Sequence, residues 1–318
     1  MLQPECSTIV RVLEESVRRN ISAGLLLSGG LDTSILAALA ARWQKPYCIT
    51  VALRGAPAPD IEYAVKVARL FNLDHYIHYF GDEELEEGIR QTVKALRTFD
   101  PMEVRNSAAA YIGLKAAAGR GLPTVMTGDG ADELLAGYSF FFDMEKAQLE
   151  TALHNMCTGM NFSSIPLAEA LGIEVRLPFL DPEFKALAMG LDSSLKVNRN
   201  GKQAWGKWIL RQAFESLLSP EIAWRTKAPL EEGTGTATLP ALFDARIDDS
   251  EFDRKKQIYL HEDKVIIRSK EHLVYYEIYR DVIGVPGLAP NSGRKCPDCG
   301  TGVKEHASFC RTCGAYPI

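Results

Sequence analysis

The sequence predicts an α/β protein: a parallel sheet flanked by helices, then a helical second half and a small C-terminal zinc ribbon. Three observations predict it. Short apolar runs alternate with amphipathic helical segments over the first 140 or so residues, the pattern of βαβ units. Two glycine- and acid-rich loops directly follow strand-like runs, at the sheet edge where such folds bind ligands. Four of the seven cysteines form two C-x-x-C pairs between residues 296 and 313.

The elements follow in order. Residues 8–20 carry Ile9, Val10, Leu13 and Val17 at helical spacing, with Arg11, Glu14, Glu15 and Arg18 between them. Residues 25–27, apolar and preceded by Gly24, suit a buried parallel strand. Residues 33–43 read as a helix, 48–53 as the next strand, and 54–59 as a loop, because proline biases its predecessor away from helix. Asp60 is expected to cap a helix running to Phe71, with Ala64, Val67, Ala68 and Phe71 on one stripe. Residues 75–80 are expected as a third strand, 83–96 and 106–118 as helices, and 124–127 as a fourth strand.

From about residue 143 to 225 the pattern is mainly helical, most clearly over 203–218, with a two-proline loop at 175–182. The Gly- and Thr-rich stretch 232–238 is expected not to hold a helix and to be mobile. Residues 285–294 have linker composition and divide a domain of residues 1–284 from a ribbon of residues 295–318. No internal repeat is visible.

Composition narrows the function classes. In 318 residues, 46% are hydrophobic and 24% charged, as in soluble globular proteins. A net charge of −5 argues against a broad nucleic-acid surface. No apolar run approaches the ~20 residues that span a bilayer, so no membrane association is expected. Met1–Cys6 lacks the regions of a signal peptide, so the cytoplasm is the expected compartment and disulfides are not expected. Cys6, Cys48 and Cys157 are expected as small buried residues. No pair of histidines has metal-ligand spacing.

The richest stretch is Ser28-Gly29-Gly30-Leu31-Asp32-Thr33-Ser34, between strand and helix. Two glycines let backbone approach an anion closely, and the free N–H groups of a helix start face negative charge. The loop lacks the lysine of a G-x-x-x-x-G-K-[ST] loop and offers Asp32 instead. An acid beside a polyphosphate implies an intervening metal ion. The competing reading is an ordinary turn in which Ser28 and Asp32 cap the helix. The second loop, Gly128–Tyr138, supplies Asp129, Asp132 and Glu133. If Asp132 joins Asp32 on one Mg²⁺, the pair neutralises a pyrophosphate leaving group. Arg225 and Lys227, two apart in a non-helical stretch, offer cations to phosphates or to a developing oxyanion. Lys207 and Arg211 lie four apart in a helical pattern and read as a solvent-facing or structural charge network.

In the tail, Cys296, Cys299, Cys310 and Cys313 form two knuckles separated by ten residues, each followed by glycine. Four thiolates suit a closed tetrahedral Zn²⁺ site, which is structural. The ribbon could dock on a partner or on RNA, or cap its own domain.

Four motifs in this order carry a family resemblance: Ser28–Ser34, Thr127–Tyr138, Gly172–Asp181 and Trp224–Lys227. Over residues 8–240 or so the chain resembles the synthetase domain of B-type asparagine synthetases, which belong to the Ser-Gly-Gly-x-Asp ATP pyrophosphatases. The resemblance implies an adenine nucleotide α-hydrolase-like sheet. It implies ATP with its phosphates on Ser28, Gly29, Gly30, Asp32, Thr33 and Ser34, its adenine near Leu26 and Val51, and contacts from Thr127 and Gly128. Asp32 and Asp132 would be the Mg²⁺ ligands. Asp129 would handle the proton in the amide-forming step, and Lys227 would stabilise phosphate and oxyanion charge. Cofactors would thus be ATP, Mg²⁺ and structural Zn²⁺.

Three departures accompany the resemblance. The family's N-terminal glutaminase domain has no counterpart before the first strand. The charge-bearing motif expected a dozen residues before Glu174 reads Ser163-Ser164-Ile165-Pro166, which leaves aspartate open as the substrate. The ribbon is additional. The leading expectation is therefore an ATP-dependent, AMP-forming amide ligase, with asparagine synthesis its narrowest form. The expected partners are a small-molecule carboxylate, ammonia and a separate glutaminase subunit, with a homo-oligomer left open. Two alternatives stand beside it: a tRNA thiolation or modification enzyme, disfavoured by the acidic charge, and a non-catalytic nucleotide-binding protein.

Overall fold

The computed structural model describes residues 4–200, 203–287 and 293–318. A five-stranded sheet organises it, with β1 (Gly24–Leu26), β2 (Tyr47–Leu53), β3 (His75–Phe80), β4 (Thr124–Met126) and β5 (Glu174–Arg176) in the order β3-β2-β1-β4-β5. Where registers are defined, β1 runs parallel to β2 and β4, and β4 parallel to β5. The helices of the alternating half are α1 (Pro4–Arg19), α2 (Leu31–Ala40), α3 (Asp60–Leu70), α4 (Asp82–Leu96) and α5 (Pro101–Ala118). Helices α6 (Ala131–Leu134), α7 (Lys146–Gly159), α8 (Ser164–Ala170) and α9 (Pro182–Gly190) follow. A hairpin of β6 (Val197–Asn200) and β7 (Gln203–Gly206) precedes α10 (Trp208–Leu218). The parallel α/β expectation is met.

Several local expectations are corrected. Residues 174–176, placed partly in a proline loop, form β5, because pairing with β4 satisfies their backbone. Residues 203–206, expected as helix, are β7, and α10 begins only at Trp208. Asp60 does not cap α3: Pro59 takes that position, and the Asp60 carboxylate is spent on Arg225 at 2.6 Å. Residues 232–238 are ordered: Leu230–Thr234 is a helix, Thr236–Thr238 a 3-10 turn, and Thr234 and Thr236 are buried. Of the expected linker 285–294, residues 288–292 lie outside the described residues.

The contacts divide the chain into two compact units that do not follow sequence order. One comprises the chain up to Thr50, Pro59–His78 and Leu114–Ala228; the other comprises Val51–Ala58, Tyr79–Gly113 and Pro229–Ile318. The core of the first packs α1, α2 and α10 around β1, with Ile9, Leu13, Leu25, Ile35, Leu39, Leu210 and Phe214 at most 1% exposed. Cys6, Cys48 and Cys157 are buried, as expected, and burial pushes the Cys48 thiol up to about 12.

Asp181, from the third motif, ties this unit together. It accepts two hydrogen bonds from the Arg19 guanidinium, at 2.7 and 2.9 Å, and caps α9 through the Glu183 N–H. The Arg19 bonds hold its carboxyl below the usual carboxylate range. Its contribution is therefore complete above its unfolded-state value of about 3.9 and is lost as pH falls through the lower folded value. Asp181→Asn is expected to cost about 1–2 kcal/mol at pH 7, a figure discounted for the partly exposed Arg19. In urea unfolding the gap from the parent should narrow below about pH 4; a gap independent of pH would exclude the ion pair as its source.

The second unit is built from α4, the first part of α5, and helices including Leu239–Arg246, Asp249–Glu262 and Lys270–Val282. Phe99, Phe243, Tyr275, Tyr276 and Tyr279 fill its centre with edge and tilted ring contacts. Among the described residues no helix is long and apolar enough to cross a membrane.

Candidate active site and metal centre

The first loop leaves β1 and enters α2. Gly29 has φ +69°, and a Cβ there would lie 2.3 Å from the Ala64 nitrogen, so glycine is required by both conformation and space. Gly30 is the N-cap of α2, and no side chain caps that helix. The capping alternative for Ser28 and Asp32 therefore fails. Ser28 Oγ instead accepts from the Gly30 N–H at 3.2 Å and lies 3.1 Å from Thr33 Oγ1. Ser34 Oγ is buried with no hydrogen-bond partner. The N-terminus of α2 thus opens onto the loop uncapped by any side chain.

The second loop leaves β4. Gly128 sits where a Cβ would be 3.2 Å from Asp32 Cβ and from Thr33 Cγ2, so the two loops touch. Thr127 Oγ1 donates to Asp129 Oδ2 at 2.9 Å, and Ser164 Oγ donates to the same oxygen at 2.5 Å. Glu133 accepts from Tyr138 Oη at 2.5 Å.

A residue the sequence placed elsewhere joins the loops. Lys207, expected in a surface or structural charge network, is buried, with Nζ 2.5 Å from Asp32 and 2.8 Å from Asp132. Lys207 has φ +52°, just before α10, and its N–H donates to the Leu135 carbonyl. The approach depends on Gly137, where a Cβ would lie 1.8 Å from Asp132 Oδ1 and 2.4 Å from Lys207 Cε. The only local signal was Gly206 before Lys207, a break inside an otherwise helical pattern. Arg211 is likewise buried, donating to the carbonyls of Gly206, Ala223 and Arg225. It thereby braces the segment that carries Arg225 and Lys227.

Lys227 Nζ reaches Asp132 Oδ1 at 2.6 Å and lies 4.0 Å from the Tyr138 ring centroid. Arg225 donates to the Ser28 carbonyl at 3.3 Å and stacks on Tyr63. Arg225 therefore shapes the first loop, and Lys227 faces the second. Leu26 ends β1 half-buried, while Val51, on β2, belongs to the second unit.

The electrostatics are uneven. Burial, reinforced by the charge of Asp132, pushes the Asp32 carboxyl up despite Lys207. Burial also opposes ionisation of Asp132, but Lys207 and Lys227 outweigh it and hold that carboxyl low. The two carboxylates likewise hold the Lys207 ammonium charged against its own burial. Asp32 Oδ1 is buried and unpartnered. Two neighbouring hard oxygen donors, one of them orphaned, fit a small divalent cation such as Mg²⁺.

The second centre is the ribbon. Cys296, Cys299, Cys310 and Cys313 are all buried, and their sulfurs lie within 4.8 Å of one another. Cys296–Cys313 and Cys299–Cys310 are each 3.7 Å apart. A tetrahedron of thiolates about 2.3 Å from zinc has edges of about 3.8 Å, so the cluster matches a closed zinc site. Gly300 and Gly314, following the knuckles, have φ +72° and +76°. The ribbon packs on its own unit: the Phe99 N–H donates to Thr312, the Ile266 N–H to Asp298, and Arg268 pairs with Asp298 at 2.6 Å. His272, one of the unassigned histidines, is buried there against the Phe99 ring.

A parallel α/β sheet whose first glycine loop meets an acid-rich loop at one end defines the class of this protein. The asparagine synthase family model matches residues 8–163 and 149–275, and the chain belongs to that family. It is 32% identical to a probable glutamine-hydrolysing asparagine synthetase of Schizosaccharomyces pombe over 76% of this chain and 50% of that protein. It is 31% identical to asparagine synthetase B of Escherichia coli over 88% of this chain and 54% of that protein. The chain spans about half the length of these relatives. NMN synthetase from Francisella tularensis is a structural neighbour at 16% identity and TM-score 0.41, covering 92% of this chain and all of the other.

Proposed function

We propose that this chain is an ATP-dependent, AMP-forming amide ligase. A substrate carboxylate oxygen attacks the α-phosphorus of ATP, the bond to the β-phosphate oxygen breaks, and pyrophosphate leaves. Ammonia or an amine then attacks the acyl carbon, AMP leaves, and the nitrogen gives up a proton. The observation that carries this reading is the convergence of Asp32, Asp132, Lys207 and Lys227 beside the uncapped start of α2.

Each group has a part. The backbone of Ser28–Ser34 and the α2 start receive phosphate oxygens, with the Ser34 hydroxyl as an uncommitted donor. Asp32 and Asp132 would hold Mg²⁺, which supplies charge neutralisation to the leaving pyrophosphate. Lys227 and Lys207 place positive charge where phosphate or oxyanion charge develops. Asp129 accepts the proton of the attacking nitrogen. Thr127, expected to touch the nucleotide, has its hydroxyl committed to Asp129, so any nucleotide contact would come from its backbone. The cysteine cluster holds structural zinc in this reading.

The narrow form of the proposal is asparagine from aspartate and ammonia, the latter delivered free or by a separate glutaminase subunit. The assay is pyrophosphate release with ATP, Mg²⁺, a panel of carboxylates, and ammonia. Release with aspartate and ammonia, yielding AMP and asparagine, supports the narrow form; release with another carboxylate keeps only the ligase. Release that requires tRNA would replace it with a tRNA-modifying activity. ATP binding without pyrophosphate release under any condition would point to the non-catalytic alternative.

A further inference from the structure

We infer that Ser164, together with Thr127, positions the Asp129 carboxylate for the nitrogen-transfer half of the reaction, an inference resting on the ligase reading above. Ser164 opens α8, in the stretch where the resemblance leads one to expect charge and the chain has none. Its side chain is not spare: Oγ donates to Asp129 Oδ2 at 2.5 Å, and the residue is 6% exposed. Thr127, 5% exposed, donates to the same oxygen at 2.9 Å. Two hydroxyls from different elements thus converge on one oxygen of a carboxylate held on a short loop.

Donation to Oδ2 does two things. It favours the ionised carboxylate, which must accept the proton from the attacking nitrogen. It also restrains rotation of the carboxylate about Cβ–Cγ, holding it in one orientation for the transfer step. An aspartate has one side-chain torsion fewer than a glutamate, so two donors on one carboxylate oxygen leave it little freedom. The Ser164 hydroxyl bonds to Asp129, and not to the phosphate loop, Asp32 or Asp132, whose shared partner is Lys207. Its removal should therefore spare adenylate formation and slow the step in which nitrogen attacks.

The experiment separates the two half-reactions in the full chain. Carboxylate-dependent exchange of labelled pyrophosphate into ATP reads adenylation, and amide formation under saturating ammonia reads transfer. Ser164→Ala is expected to keep exchange within about twofold and to lower amide formation about 10- to 100-fold, the range for one hydrogen bond to a charged group. Ser164→Thr, which retains the hydroxyl, should restore most of the loss; Ser163→Ala should change neither rate. Equal losses in both half-reactions, or no loss in transfer, would overturn the assignment while leaving the ligase reading intact. No exchange in the parent chain with any carboxylate would remove the ligase reading and this inference with it.

Discussion

Asp32→Asn is expected to lower pyrophosphate release on the order of 10³-fold while leaving the protein as stable as its parent or slightly more so. The physical reason lies in the imbalance at the junction of the two loops. Lys207 is shared between Asp32 and Asp132, whereas Lys227 forms its ion pair with Asp132 and acts on Asp32 only from a distance. Asp32 is thus the less compensated carboxylate, pushed up by burial and by its neighbour, with one buried oxygen unpartnered. Folding gains little from ionising it there, and an amide of the same shape relieves the repulsion with Asp132. A function that needs a second negative oxygen beside phosphate loses its essential group. Melting temperature, zinc content and pyrophosphate release measured side by side check this. Full turnover in the variant would remove Asp32 from the chemistry, and collapse of the fold would make it a structural residue.

Cys310→Ser is expected to abolish the zinc binding proposed above and unfold the ribbon, destabilising the second unit by more than about 4 kcal/mol. The four sulfurs form one closed cluster, so a hydroxyl in place of one thiolate leaves three ligands and a mismatched edge. The loss should spread beyond the tail, because the Phe99 and Ile266 N–H groups both donate to ribbon carbonyls. Metal analysis should fall from about one zinc per chain to none, and amide exchange at Phe99 and Ile266 should accelerate. Turnover lost with zinc while those amides stay protected would overturn the structural assignment and make the metal part of the chemistry.

Much of this arrangement is legible in the sequence because it is encoded by neighbours. The Ser28–Ser34 cradle, the acids of Gly128–Tyr138 and the spacing of the four cysteines each lie in one or two short runs. Glycine where φ is positive and thiolates two residues apart need no knowledge of the distant chain. The four strands of the alternating half, and most of their helices, follow for the same reason. Failures occurred where long-range pairing overrides local pattern. Strand β5 spans three residues, and only its pairing with β4 makes it a strand. Residues 203–206 look helical until β6 claims them.

Lys207 shows the division most sharply. In sequence it is one of two basic residues four apart, the signature of a solvated helix face. The β6–β7 hairpin carries it in φ +52° to the two loops, and Gly137 leaves room for its side chain. There the cation absent from the glycine loop is supplied from 175 residues away. The sequence alone determined the parallel sheet, the glycine loop after its first strand, the acid-rich loop beside it and the thiolate cluster, because each depends on backbone conformation and residue spacing within a short run. The tertiary structure decided which lysine serves which carboxylate, that Ser164 meets Asp129, and that the ribbon is part of its own unit. Those depend on charge and hydrogen bonding between groups that only folding brings within reach and removes from water.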